Sequence, residues 1–128
     1  MMSKRLISSG SHLEPEIGFS RAVRQGNLMF VAGTAPIAPD RTDEVSSDVY
    51  TQTQRCLEII DEALREAGAR LSAVVCTRIM LTDIDTWRDA AKAHGEVFGE
   101  VRPARTFVEV SRFIDVRWNV EVEADAIT

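Results

Sequence analysis

Two rhythms of apolar residues divide the chain. Over Asp48–Ala67, Val49, Thr53, Cys56, Ile60, Ala63 and Ala67 recur at spacings of three and four, with Leu57 and Leu64 widening the stripe. That spacing places them on one face of a helix and leaves Glu58, Asp61, Glu62, Arg65 and Glu66 mostly outside it. Ser46 or Ser47 can cap its start, and Gly68 can end it. A second helix is predicted over Thr86–Phe98, where Trp87, Ala90, Ala91, His94, Val97 and Phe98 form the stripe and Gly99 follows as a stop.

The other apolar runs are short and read as strands. Arg5–Ser8 and Phe19–Arg24 come first, and Gln25-Gly26-Asn27 then signals a hairpin. Leu28–Thr34 and Ala73–Leu81 are apolar on both alternating faces, as in strands covered on both sides. Ala104–Val110, introduced by Pro103, and Arg117–Ala126 complete the set, while Pro36–Ser47 reads as a surface loop. The order β-β-β-α-β-α-β-β predicts an α+β sandwich, a single mixed sheet of about six strands with two helices packed on one face. Two helices cover only one face of such a sheet. The second apolar face therefore calls for another subunit.

In the last two strands the charges alternate with apolar positions. Ala104, Thr106, Val108 and Val110 share one face, and Arg105, Phe107 and Glu109 share the other. Trp118, Val120, Val122 and Ala124 likewise oppose Arg117, Asn119, Glu121, Glu123 and Asp125. If the apolar faces meet the helices, Arg105 and Glu121 fall on the side assigned to the subunit contact. Charge there is costly unless paired or ligand-bound. Arg105 fits two roles: a cross-strand ion pair with Glu109 or Glu121, or a fork for a ligand carboxylate, whose two oxygens match paired N–H donors. A glutamate beside such a fork can polarise water or relay a proton.

Composition narrows the field. A chain of 128 residues and 14.2 kDa suits one domain over residues 1–128, long enough to bury a core without disulfide or metal staples. The net charge of −5 argues against nucleic-acid binding, which needs a basic footprint. No apolar run is long enough to span a membrane, and the first residues lack the apolar core of a signal peptide. Cys56 and Cys76 lack C-x-x-C spacing and read as reduced core residues, which points to a cytoplasmic protein. His94 reads as a core or interface residue, and Trp87 and Trp118 as core. His12 has only Glu14 and Glu16 near it, a weak metal signal. Gly26 and Gly33 are isolated, so no phosphate loop is present.

Several segments carry a resemblance. They are Ile17-Gly18-Phe19-Ser20-Arg21-Ala22-Val23, Gly26-Asn27-Leu28-Met29-Phe30-Val31-Ala32-Gly33-Thr34-Ala35-Pro36, Leu81-Thr82-Asp83-Ile84, Arg102-Pro103-Ala104-Arg105-Thr106-Phe107-Val108-Glu109-Val110 and Val120-Glu121-Val122-Glu123-Ala124. In order and spacing, over nearly the whole chain, they resemble the Rid family (YjgF, or L-PSP-like proteins), the reactive-intermediate imine and enamine deaminases. The resemblance implies a chorismate-mutase-like fold and a homotrimer with clefts between subunits, and no metal or organic cofactor. It places the carboxylate-binding arginine on Arg105 and the water-positioning glutamate on Glu121. Phe19, Ala32, Gly33, Ala91, Thr106 and Phe107 are then expected to line the cleft. Deaminases of the family usually carry tyrosine at position 19, and often serine at 32, asparagine at 91 and cysteine at 107. Here all four are apolar.

The activity so implied is metal-free hydrolysis of 2-imino or 2-enamino acids to 2-oxo acids and ammonia. A non-catalytic trimeric module that holds a small carboxylate is the alternative, and the apolar lining favours it. An endoribonuclease, an activity attributed to some relatives, is opposed by the acidic balance and the lack of a histidine pair.

Overall fold

The computed structural model describes residues 3–38 and 44–128. Strand β1 (Lys4–Ile7) pairs antiparallel with β2 (Ala22–Gln25), which turns through Gly26 and Asn27 into β3 (Leu28–Thr34). Gly26 takes φ +62° at the first turn position, where a side chain would be strained. Between β1 and β2 the chain forms a short helix, α1 (Leu13–Ile17), that periodicity did not predict. Its anchor is Glu14, a buried carboxylate that accepts hydrogen bonds from the Ser9 backbone N–H at 2.9 Å and the Ser9 hydroxyl at 2.5 Å. Phe19 consequently lies in the loop entering β2 and not inside a strand.

Helix α2 (Val49–Glu66) follows the predicted stripe. Its cap is Asp48, whose carboxylate accepts from the Thr51 N–H at 3.0 Å; Ser46 instead accepts from the Asp48 N–H at 3.1 Å. Gly68, at φ +83°, lies just past the helix end. Strand β4 (Val74–Leu81), helix α3 (Trp87–Phe98), β5 (Ala104–Glu109) and β6 (Val120–Ile127) complete the chain. The strands form one mixed sheet in the order β1-β2-β3-β6-β4-β5, in which only β4 and β5 run parallel.

The helices pack on one face. Cys56, Ile60 and Leu64 of α2 and Phe98 of α3 join Met29, Val31, Ile79, Leu81, Val120, Val122 and Ala124 in a single buried cluster. Each large apolar side chain buried there contributes about 1.5–3 kcal/mol over its exposed state. The α+β sandwich expected from the pattern is the observed architecture. On the opposite face, Leu6, Phe30 and Val108 are exposed at 61%, 51% and 42%. Arg78 crosses that face, with its Nη atoms 3.0 and 3.2 Å from the two Asp125 oxygens and its Nε 3.2 Å from Glu123.

Strand β5 corrects the expected facing. Its parallel register sets Arg105 beside Thr77 and Phe107 beside Ile79, both buried on the helix side. Arg105 and Phe107 therefore face the helices, while Ala104, Thr106 and Val108 lie on the open face. In β6 the expected facing holds: Val120, Val122 and Ala124 are buried and Glu121, Glu123 and Asp125 lie on the open face. Trp87, expected in the core, is 38% exposed.

Candidate functional site

The residues singled out in the sequence gather in two places. The first is a bulge in β3. Val31 pairs with Ala124 and Thr34 with Val122, so β3 carries one more residue than β6 around Ala32 and Gly33. Glu121 sits against that bulge: a Cβ on Gly33 would lie 3.0 Å from the Glu121 Oε1 atom. Only glycine lets the carboxylate rest there without shifting. Glu121 is half-buried and accepts no hydrogen bond from a described residue. Burial pushes its pKa above the usual carboxylate range; Arg21 opposes that rise and Glu123 adds to it. Arg112, Phe113, Ile114 and Val116, from the segment before β6, form an open cleft with Glu121.

Arg21 is a participant that the sequence reading missed. Its carbonyl accepts from the Ala32 N–H at 3.0 Å, extending the β2–β3 ladder to the bulge. Its Nη2 donates to the Gly33 carbonyl at 2.6 Å. The side chain is buried, and burial depresses its pKa while Glu14, Glu121 and Cys56 favour its charged form. The only signal in sequence is an arginine directly before a buried strand. Phe19 lies nearby in chain terms: its N–H donates to the Glu14 carbonyl at 3.0 Å.

The second place is the edge formed by β5 and α3. The Arg105 guanidinium stacks over the Phe107 ring, 4.0 Å from its centroid. Phe107 in turn meets Trp87, with centroids 6.0 Å apart at 56°. Ala91 lies half-exposed on α3. His94 is buried, with its Nε2 2.9 Å from the Thr77 hydroxyl and its ring 4.7 Å from Phe98. Burial, with Arg105 nearby, pulls its pKa down to about 4, so the imidazole is neutral at pH 7.

Arg105 forms no ion pair with a described residue. The cross-strand bridges considered from the sequence are not formed. Glu109 instead accepts from the Ile84 N–H at 3.0 Å, and Glu121 lies on the far side of the sheet. Thr106 pairs with Arg78 on the open face, so it does not share a surface with Arg105. In register, Arg105 stands level with Thr77 and Glu121 with Met80, two strands apart. At about 3.3 Å per residue and about 4.8 Å per strand, their backbones are roughly 14 Å apart, with the sheet itself between the side chains. One small ligand cannot touch both within a single chain.

Among the described residues no group of His, Cys, Asp and Glu is arranged to hold a metal ion. His12 is exposed and caps α1 without a side-chain bond. Cys56 is buried and free, and Cys76 is half-buried and free. No helix among the described residues is long and apolar enough to cross a membrane.

The fold and its two residue groups define a small α+β protein with an unpaired arginine at one sheet edge and a half-buried glutamate at a bulge on the opposite face. The profile of the family described as Endoribonuclease L-PSP matches residues 9–128. A RutC family protein of Pyrococcus abyssi is 38% identical over 126 residues, covering 98% of this chain and 97% of that one. The chloroplastic Reactive Intermediate Deaminase A of Arabidopsis thaliana is 31% identical, over 85% of this chain and 57% of that protein. A crystal structure of a YjgF/YER057c/UK114 family member from Mycobacterium tuberculosis superposes with a TM-score of 0.89 at 43% identity, covering 98% of this chain and 100% of that one. The chain belongs to the Rid (YjgF, L-PSP) family.

Proposed function

We propose that the protein hydrolyses 2-imino and 2-enamino acids to 2-oxo acids and ammonia, in clefts that each combine two chains of a homotrimer. The observation that carries this reading is the placement of Arg105 and Glu121. Neither forms an ion pair or a side-chain hydrogen bond with a described residue, and they lie on opposite faces of one sheet. A second chain laid on the open face could bring its own β5 edge to the Glu121 of the first. The exposed apolar residues of that face supply the area such a contact needs.

In the assembled cleft, Arg105 of one chain forks the substrate carboxylate and orients the C=N carbon. Glu121 of the other holds a water and takes its proton as the oxygen bonds to that carbon. That proton passes to nitrogen to give a carbinolamine; Glu121 then carries the hydroxyl proton to the amino group, the C–N bond breaks as the C=O bond forms, and ammonia leaves. Phe19, Ala32, Gly33, Ala91 and Phe107 form the lining around the side chain of the substrate, and the Thr106 backbone completes it. The chemistry uses small organic acids of the cytoplasm and calls on neither nucleic acid nor membrane. The deaminase name of the Arabidopsis relative supports the reading.

A second reading has one observation in its favour. Phe19, Ala32, Ala91 and Phe107 offer no side-chain hydroxyl, amide or thiol, so the site could hold a small carboxylate without turning it over. A coupled assay separates the two. An amino-acid oxidase or dehydratase generates imines from a panel of amino acids, and imine loss is followed with and without the protein. Faster loss supports hydrolysis. Unchanged loss, with carboxylates still binding in calorimetry, supports the binding module.

A further inference from the structure

Burial pushes the Glu121 pKa up, and the proposed attack of water needs the carboxylate in its ionised form. We propose that Arg21 is a positioning residue for Glu121: it fixes the Gly33 bulge against which the carboxylate rests and places a buried positive charge on that side of it. The proposal rests on the hydrolytic reading of Glu121.

Three features of the geometry support it. Arg21 grips the bulge twice, through its carbonyl to the Ala32 N–H at 3.0 Å and through Nη2 to the Gly33 carbonyl at 2.6 Å. Gly33 in turn leaves room for the Glu121 Oε1 atom, which lies 3.0 Å from where a Cβ on Gly33 would stand. Arg21 is 8% exposed and its Nε has no hydrogen-bond partner among the described residues, so its charge is poorly screened by water and incompletely compensated. A buried cation in that state acts strongly on any nearby carboxylate.

His12 beside α1 and Arg55 and Glu62 of α2 line a pocket with Arg21. Arg21 is within electrostatic reach of Glu14 on α1, Glu121 on β6 and the Cys56 thiol on α2. Glu121 sees Arg21, its strand neighbour Glu123 and Cys56. Arg112 lines the open cleft beside it. Arg78, a cation on the open face, is committed to Glu123 and Asp125. The Cys56 thiol is raised by burial and stays neutral. Glu14 is held ionised: burial would raise its pKa, and hydrogen bonds from Ser9, Ser8 and Ser11 outweigh that. Two carboxylates therefore share one buried guanidinium, and Glu14 tempers what Glu121 receives.

The test reads the carboxyl itself. Carbon-detected NMR of labelled glutamate follows the titration of Glu121, assigned by its loss in Glu121→Gln. In Arg21→Gln the Glu121 midpoint should rise by about one pH unit, and the acid limb of kcat/KM for imine hydrolysis should rise with it. Arg21→Lys keeps the charge and should leave the midpoint within about 0.3 unit while lowering kcat, because a point charge cannot hold the bulge in the same geometry. Should Arg21→Gln fail to fold, Glu14→Gln gives the reciprocal reading: with its competitor gone, Arg21 should lower the Glu121 midpoint. A Glu121 titration unmoved by both Arg21→Gln and Glu14→Gln in folded protein overturns the proposal. A wild-type protein that hydrolyses no imine overturns the proposed activity instead, and the carboxyl titration still decides the role of Arg21.

Discussion

Arg105 and Glu121 stand on opposite faces of the same sheet, two strands apart, with Thr77 marking the level of one and Met80 the level of the other. A cleft that uses both must draw them from different chains. Mixing Arg105→Ala with Glu121→Gln before joint refolding should therefore restore activity that neither variant has alone. Random assembly of a ring leaves about a quarter of its clefts with both native residues, so roughly 25% of wild-type kcat is expected. Activity no higher than that of the separate variants would place both residues of each cleft on one chain.

Arg105 rests on Phe107 and has no ion pair to lose. Arg105→Ala should change stability by no more than about 0.5 kcal/mol. It should lower kcat/KM at least ~100-fold, since a charge-assisted fork contributes about 3 kcal/mol. Arg105→Lys should recover little of that loss. A large drop in Tm with unchanged turnover would make Arg105 a structural residue.

The proposed lining should set a preference among substrates. Phe19, Ala32, Ala91 and Phe107 present carbon where other family members have polar groups, so apolar substrate side chains should bind better at the transition state. At about 0.8 kcal/mol per buried CH₂, two extra methylene groups give roughly ten-fold. Imines from leucine or methionine should be consumed faster than those from serine or threonine in the coupled assay. The reverse order would show that these four positions do not set specificity.

His94 makes stability depend on pH. Its folded pKa, about 4, lies below the ordinary histidine value of 6.5, so the unfolded chain takes up a proton at a higher pH than the folded one. The stabilisation is fully present above about pH 6.5 and is lost as pH falls towards 4. The loss should reach about 2 kcal/mol, less than the full shift implies because the ring keeps some solvent contact. Denaturant melts between pH 7 and 4 should show this slope, and His94→Gln should flatten it. Equal slopes in both proteins would mean that the ring is not desolvated.

The two helices, the hairpin and the facing of β6 were legible because each rests on a strong local period. The Val120, Val122 and Ala124 alternation could bury only one way. Strand β5 was misread because Ala104, Thr106 and Val108 look like its apolar face, and the strand lies at the edge of the sheet, where burial is weakly specified. Phe107 decides the matter: it offers more area than an alanine or a threonine, and parallel pairing with β4 sets it against Ile79. Helix α1 escaped notice because it depends on Glu14 and Ser9, a contact with no period at all. The pairing of Arg21 with the Gly33 carbonyl joins residues twelve apart through a bulge, and no spacing rule encodes it.

The edge position of β5 has a consequence for the chain before it finds its partners. An edge strand offers a row of unmet backbone groups to any extended segment that drifts by, and Val108 adds an exposed apolar contact to it. Arg105 and Glu109 are the charges that make that edge a poor template. The guanidinium proposed to hold the substrate should therefore also guard newly made chains against stacking edge to edge. Arg105→Ala should refold cleanly when dilute and lose yield to aggregates as concentration rises, whereas Arg105→Lys, inactive in turnover, should refold as the wild type does. Light scattering during refolding reads that difference, and equal scattering from all three proteins would remove the guarding role.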